Sequence, residues 1–112
     1  MIDMLKQESL QKNPAATNRE LFDRLIALVG RTLIIDSETR PGHVSYGSVA
    51  VGTLRWARHE GKDLDGVQID IGRQLDDPQP HQSWIDIYSA VWVLTDGVPK
   101  IVHLPEGIES KY

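Results

Sequence analysis

Beyond residue 30 this sequence never leaves room for a helix between two candidate strands, and that restriction does most to decide the fold. Runs rich in Val, Ile, Thr and aromatic residues at 32–35, 43–51, 53–59, 67–71, 83–94 and 100–104 are divided by links rich in Gly, Pro and Asp, the longest being 72–82. A parallel strand pair needs a crossover of about a dozen residues or more, usually helical. The strands are therefore predicted to run antiparallel. Asp96-Gly97, between two apolar runs, supplies the tightest such link, because Asp-Gly adopts the backbone geometry that matches strand twist.

Upstream lies one clear helix signal. Thr17-Asn18-Arg19-Glu20 has the capping-box pattern, in which a Thr hydroxyl and a Glu three residues on satisfy free amides at a helix start. Leu21, Phe22, Leu25, Ile26, Leu28 and Val29 follow at helical spacing, and Gly30 supplies the stop. The spacing predicts a helix over 17–29 with an apolar stripe that must lie on the sheet. Residues 1–13 read as a loosely ordered lead segment ended by Asn13-Pro14, since proline disfavours helical geometry in the residue before it. The fold class is thus α+β: an N-terminal helix packed on a curled antiparallel sheet of five or six strands, in a single domain spanning 1–112.

Two stretches carry local conflicts. Gly52 disturbs an alternation in which Val49 and Val51 share one face while Leu54 and Trp56 fall on the other, unless a bulge intervenes. The competing helix over 48–60 is disfavoured because a central Gly costs an isolated helix about 1 kcal/mol. In 83–94, read as one strand, Ile85, Ile87, Val91 and Val93 share a face. Trp84, Asp86, Tyr88, Ala90 and Trp92 occupy the other. Which of these faces meets the helix is left open by the pattern.

Composition removes whole classes of chemistry. With 112 residues and no cysteine, disulfides, thiolate metal sites and cysteine nucleophiles are excluded. Neither a phosphate-binding glycine motif nor a GxSxG elbow occurs, and His43, His59, His81 and His103 lack metal-ligand spacing. No cofactor and no metal are expected. No apolar run is long enough for a membrane helix, so a cytoplasmic protein without membrane contact is expected.

The net charge of −4 is localised. Residues 60–77 hold Glu60, Asp63, Asp65, Asp70, Asp76 and Asp77 against Lys62 and Arg73, an excess of 6 − 2 = 4 negatives, while the rest of the chain balances. Turn-forming Asp explains much of this, and an acidic face that speeds docking of a basic protein is the functional reading. Arg55-Trp56-Ala57-Arg58-His59 is a small basic, aromatic cluster, but two arginines on an acidic chain do not make a nucleic-acid site. It reads as a solvated sheet face.

Together these features point to a small acidic, non-enzymatic binding module acting through protein–protein contact, in an inhibitor, immunity-type or adaptor role. Asp63, Asp65, Asp76 and Asp77 supply charge complementarity; Trp84 and Trp92 are anchors, with Asp86 and Tyr88 beside them. The alternative is a small-molecule or enzymatic pocket in the concave sheet face, lined by Trp56, Trp84, Tyr88, Trp92 and Asp86, with a His–carboxylate pair as general base. Homodimerisation is a third expectation.

Overall fold

The computed structural model describes residues 15–36, 49–60, 66–73, 76 and 78–112. They form one helix, α1 (Asn18–Ile26), then six strands: β1 (Thr32–Asp36), β2 (Val49–Arg58), β3 (Val67–Gly72), β4 (Gln82–Ile85), β5 (Ala90–Thr95) and β6 (Val98–His103). Every pairing is antiparallel, in the order β4-β3-β2-β1-β5-β6. This is the α+β fold expected, with an open sheet. The lead segment 1–13 and the first part of the strand expected at 43–51 lie outside the described residues.

Local chemistry explains the helix. Thr17 is its N-cap, the hydroxyl accepting from the Glu20 amide at 3.1 Å, while the Glu20 carboxylate accepts from the amide of Ala16, one residue before the cap, at 3.0 Å. The helical hydrogen bonding ends at Ile26, sooner than the apolar spacing to Val29 suggests. Gly30, at φ 91°, turns the chain and donates its N–H to the Leu54 carbonyl, and the Leu54 N–H returns to Arg31. The helix exit is thereby stitched to β2.

The sheet is strongly curled, and chain length demands it. β4 and β5 are four places apart in the strand order, about 19 Å in a flat sheet at roughly 4.8 Å per strand. Ile85 and Ala90 are joined through 86–89, where the Ser89 N–H bonds back to the Asp86 carbonyl at 2.9 Å. Five residue steps span at most about 17 Å fully extended, and a turn spans much less. Only a curled sheet closes that link. The inner face then holds Leu33, Ile35, Leu54, Val67, Ile69, Ile85, Val91 and Val93 around Leu21 and Leu25 of α1, both fully buried.

Two expectations need correction. Residues 83–94 are not one strand: β4 ends at Ile85, and Asp86 to Ser89 turn the chain into β5. Trp84, Tyr88 and Trp92 consequently never share a strand face. The break arises because Asp86 and Ser89 lock a turn, the Asp86 carboxylate accepting from the Tyr88 amide at 2.9 Å and the Ser89 hydroxyl from the Asp86 amide at 3.2 Å. Secondly, β2 runs unbroken through Gly52, which pairs with Leu33, so the strands expected at 43–51 and 53–59 meet in one element.

The parity shift flagged at Gly52 occurs three residues later. The register slips between Leu54 and Trp56, so Leu54 and Ala57 both face inward and Arg55 occupies the bulge. Gly52 answers a different need: a Cβ there would strike the Ile71 side chain and the Gly72 carbonyl oxygen. We predict that Gly52→Ala destabilises by about 2 kcal/mol through overpacking, read by urea unfolding; a loss under about 0.5 kcal/mol would show that β3 yields freely at this point.

Candidate functional site

The inner-face alternation of Ile85, Val91 and Val93 settles which sheet face meets the helix. Trp84, Trp92 and Trp56 therefore belong to the outer face, together with Ile34, Asp36, Arg58, Gln68 and Asp70 by register. That face has two halves with different surroundings.

Over β1 and β5 it is covered. Trp92 is 1% exposed and packs with Ile34, Ala90 and Leu104. Residues 108–112 return across it: the Trp92 indole N–H donates to the Ser110 hydroxyl at 2.9 Å, the Tyr112 ring meets Trp92 edge-on at 5.0 Å, and the Lys111 ammonium bonds the buried Asp36 carboxylate. Trp92 thus anchors the chain's own last residues.

Over β2, β3 and β4 it is open. Trp84 is 57% exposed and borders a shallow depression of about 220 Å³ framed by Arg58, Glu60 and Gln68. The Arg58 guanidinium lies 4.6 Å from the centre of the half-buried Trp56 ring, a cation–π contact that holds both side chains in place. The Gln68 amide reaches Gln82 at 3.3 Å. The basic, aromatic cluster of the sequence is thereby divided: Arg58 borders the depression with Trp56 stacked beneath its guanidinium, Arg55 does not border it, and the His59 imidazole turns away, holding the Gly66 carbonyl at 2.9 Å beside Phe22.

Arg55 is taken up by structure. Its Nε bonds the Asp70 carboxylate, whose side chain is 5% exposed, and its Nη2 reaches the Gln79 carbonyl at 2.6 Å. The second Asp70 oxygen accepts from the His81 amide at 3.3 Å. Asp70 therefore drops out of the surface charge inferred for 60–77, and its charged partner is an arginine. A Cβ at Gly72 would lie 2.8 Å from the Arg55 guanidinium carbon. We predict that Gly72→Ala displaces Arg55 and destabilises by about 1–3 kcal/mol, measured by thermal unfolding.

Among the other expected site residues, Asp76 is exposed, Tyr88 is 45% exposed at the β4–β5 turn, and half-buried Asp86 organises that turn. Asp63, Asp65 and Asp77 lie outside the described residues. The three tryptophans, Tyr88 and Asp86 do not line the concave face. A hollow of about 370 Å³ on that side is bordered instead by Ile35, Ile69, Ile71 and Ile85, with His81 and Ser83 among its polar edges. Among the described residues no group of three or more His, Asp or Glu is placed to hold a metal, and no helix is long and apolar enough to cross a membrane.

The sequence reads His103 only as one of four scattered histidines, at the surface or an interface, and the structure corrects that. It is fully buried: Nδ1 accepts from the Ala15 amide at 2.9 Å and Nε2 donates to the Ile87 carbonyl at 2.8 Å. Burial holds its imidazole below the ordinary value of 6.5, more strongly than the Ile87 carbonyl raises it, with Arg24 lowering and Asp86 raising it further down the order. No local pattern marks such a bridge, because its partners stand 88 and 16 residues away in the chain. Comparisons with family models, curated proteins and solved structures return no match to this chain.

Proposed function

We propose that this chain is a small, acidic, non-enzymatic binding module of the cytoplasm that acts through protein–protein contact, in an inhibitor, immunity-type or adaptor role. The observation that supports it is Trp84: a large aromatic, more than half exposed, beside a pre-ordered Arg58–Trp56 pair. Tryptophan and arginine dominate interface energetics when a partner buries them. The strand beneath contributes too. The Ile71 N–H bonds the His81 carbonyl, and antiparallel alternation then turns the main-chain groups of Ser83 and Ile85 toward β3 and those of Gln82 and Trp84 outward. The opposite edge, β6, carries Pro99 and Lys100, residues that blunt strand addition.

The partner is a protein with a basic surface, drawn by Asp63, Asp65, Asp76 and Asp77, and Trp84 is its anchor. The test is affinity purification from the source cytosol, then titration of the recovered partner against variants. Trp84→Ala should weaken binding by about 2 kcal/mol or more and change stability by under about 0.5 kcal/mol, as expected for an exposed side chain. Reversing the four aspartates should slow association, with a smaller salt dependence. Affinity unmoved by either change would overturn the proposal. Homodimerisation through the same edge predicts a mass that rises with concentration in sedimentation and falls back to monomer in Gln82→Pro.

The concave hollow favours a second reading, a small-molecule site. Its volume lies within the range of ligand pockets, which are apolar with a few polar groups at the edge. A Ser83→Phe variant that fills it should abolish saturable binding of an apolar dye while leaving the Trp84 contact intact; dye binding that persists would sink this reading.

A further inference from the structure

The contacts of residues 110–112 are unevenly built, and the unevenness identifies a receptor and a ligand within one chain. On one side stand Asp36 and Trp92, on central strands and 0% and 1% exposed. On the other stand Lys111, with its side chain 48% exposed, and Tyr112, 59% exposed. The two are complementary group by group. A carboxylate meets an ammonium, an indole N–H meets a hydroxyl, and one aromatic ring meets another edge-on. Ser110 also accepts from the Tyr112 amide at 3.3 Å and donates to the Tyr112 carbonyl at 3.1 Å, which fixes the segment in a tight local shape. The approach is a separate piece of chain: Pro105 to Ile108 form a turn, closed by the Ile108 N–H on the Pro105 carbonyl, with Gly107 at φ 79°.

We infer that Asp36 and Trp92 form a recognition site for a Ser-Lys-Tyr type of segment, filled in this chain by its own residues 110–112. A partner protein that presents a lysine next to an aromatic residue takes the same site when those residues lift away. A buried carboxylate keeps its demand for a cation whichever chain supplies it, and a tether of a few residues gives the internal ligand an effective concentration in the millimolar range, so exchange is controlled rather than prevented. This surface lies on β1 and β5, apart from Trp84 on β4, and does not depend on the function proposed above.

The test uses the full chain labelled with 5-fluorotryptophan, the Trp92 resonance being assigned from Trp92→Phe, and the peptide Glu-Ser-Lys-Tyr as probe. In Lys111→Ala the peptide should shift the Trp92 resonance saturably and raise the melting temperature. The peptide Glu-Ser-Met-Tyr, with an uncharged side chain in place of the lysine, should bind at least about tenfold more weakly, since a hydrogen bond to a charged group is lost. Adding Asp36→Asn to Lys111→Ala should remove the difference between the two peptides. Should Lys111→Ala fail to fold, the native chain gives the same answer at higher peptide concentration by displacement of its own segment. Equal binding of the two peptides, or no shift of Trp92 in any of these chains, overturns the inference.

Discussion

Replacing His103 by alanine is expected to lower the free energy of unfolding by about 4 kcal/mol, a large share of what a domain of this size possesses. The ring spans three parts of the fold: β6, the Ala15 amide that leads into α1, and the Ile87 carbonyl of the β4–β5 turn. Its removal orphans a buried donor and a half-buried acceptor, at up to roughly 1–3 kcal/mol each, and leaves a cavity besides. Urea unfolding followed by circular dichroism measures the loss. A loss below about 1 kcal/mol would mean that water or a shifted main chain replaces the bridge.

The same residue imposes a pH dependence whose sign follows from its depressed folded-state affinity for protons. Nδ1 already accepts a hydrogen bond, so a second ring proton would set two donors against each other at Ala15. Above about pH 6.5 both folded and unfolded chains hold the imidazole neutral, and the bridge contributes in full. As pH falls below the unfolded value, the unfolded chain takes up a proton that the folded chain refuses. Stability then declines, at no more than about 1.4 kcal/mol per pH unit for one proton, until the folded value is reached. The gap between native chain and His103→Ala should therefore narrow from pH 7.5 to pH 5. A gap that widens would contradict the buried neutral tautomer.

The second large effect is expected at the bulge. Asp70→Ala should cost about 3–5 kcal/mol, because the nearly buried Arg55 loses its counter-charge and the His81 amide loses its acceptor. Removing both charges is predicted to cost less than removing one: Arg55→Met with Asp70→Leu should recover much of the loss, as hydrophobic replacements of buried ion pairs often do. A double-mutant cycle measured by chemical denaturation decides this. Losses that simply add would show that the two side chains act independently.

How much of this was legible beforehand follows from the range of the interactions. The N-cap at Thr17 and the Asp96-Gly97 hairpin are written in neighbouring residues and occur as read, whereas the helix ends at Ile26, short of the stop expected at Gly30. Antiparallel pairing followed from link length alone. The division of 83–94 was not legible, because the apolar texture of Trp84 to Trp92 hides a turn held by two side chains, Asp86 and Ser89. The shift at Arg55 was anticipated as a bulge but assigned to Gly52, since glycine is the commoner mark of one, whereas here an ion pair across β2 and β3 holds it. Of the aromatic stripe, Trp84 and Trp92 lie opposite Ile85, Val91 and Val93 as the alternation predicts, whereas Tyr88 falls in the turn. Its separation into an exposed Trp84 and a covered Trp92 depends on residues 108–112, about which the alternation inside a strand carries no information.

The short link between β4 and β5 has a consequence in time as well as in shape. Strands β1 to β4 are neighbours in sequence order, and β5 and β6 form a hairpin of their own, so each half assembles from local contacts. Their junction, β1 against β5, pairs Ile35 with Val91 across 91 − 35 = 56 residues, and contacts that distant form slowly because their loop must close first. The turn at 86–89 shortens that search by turning the β5 hairpin back toward β1, the strand that must receive it. Refolding is thus expected to be paced by the moment at which the meander bends far enough for its fourth strand to hand the fifth to its first.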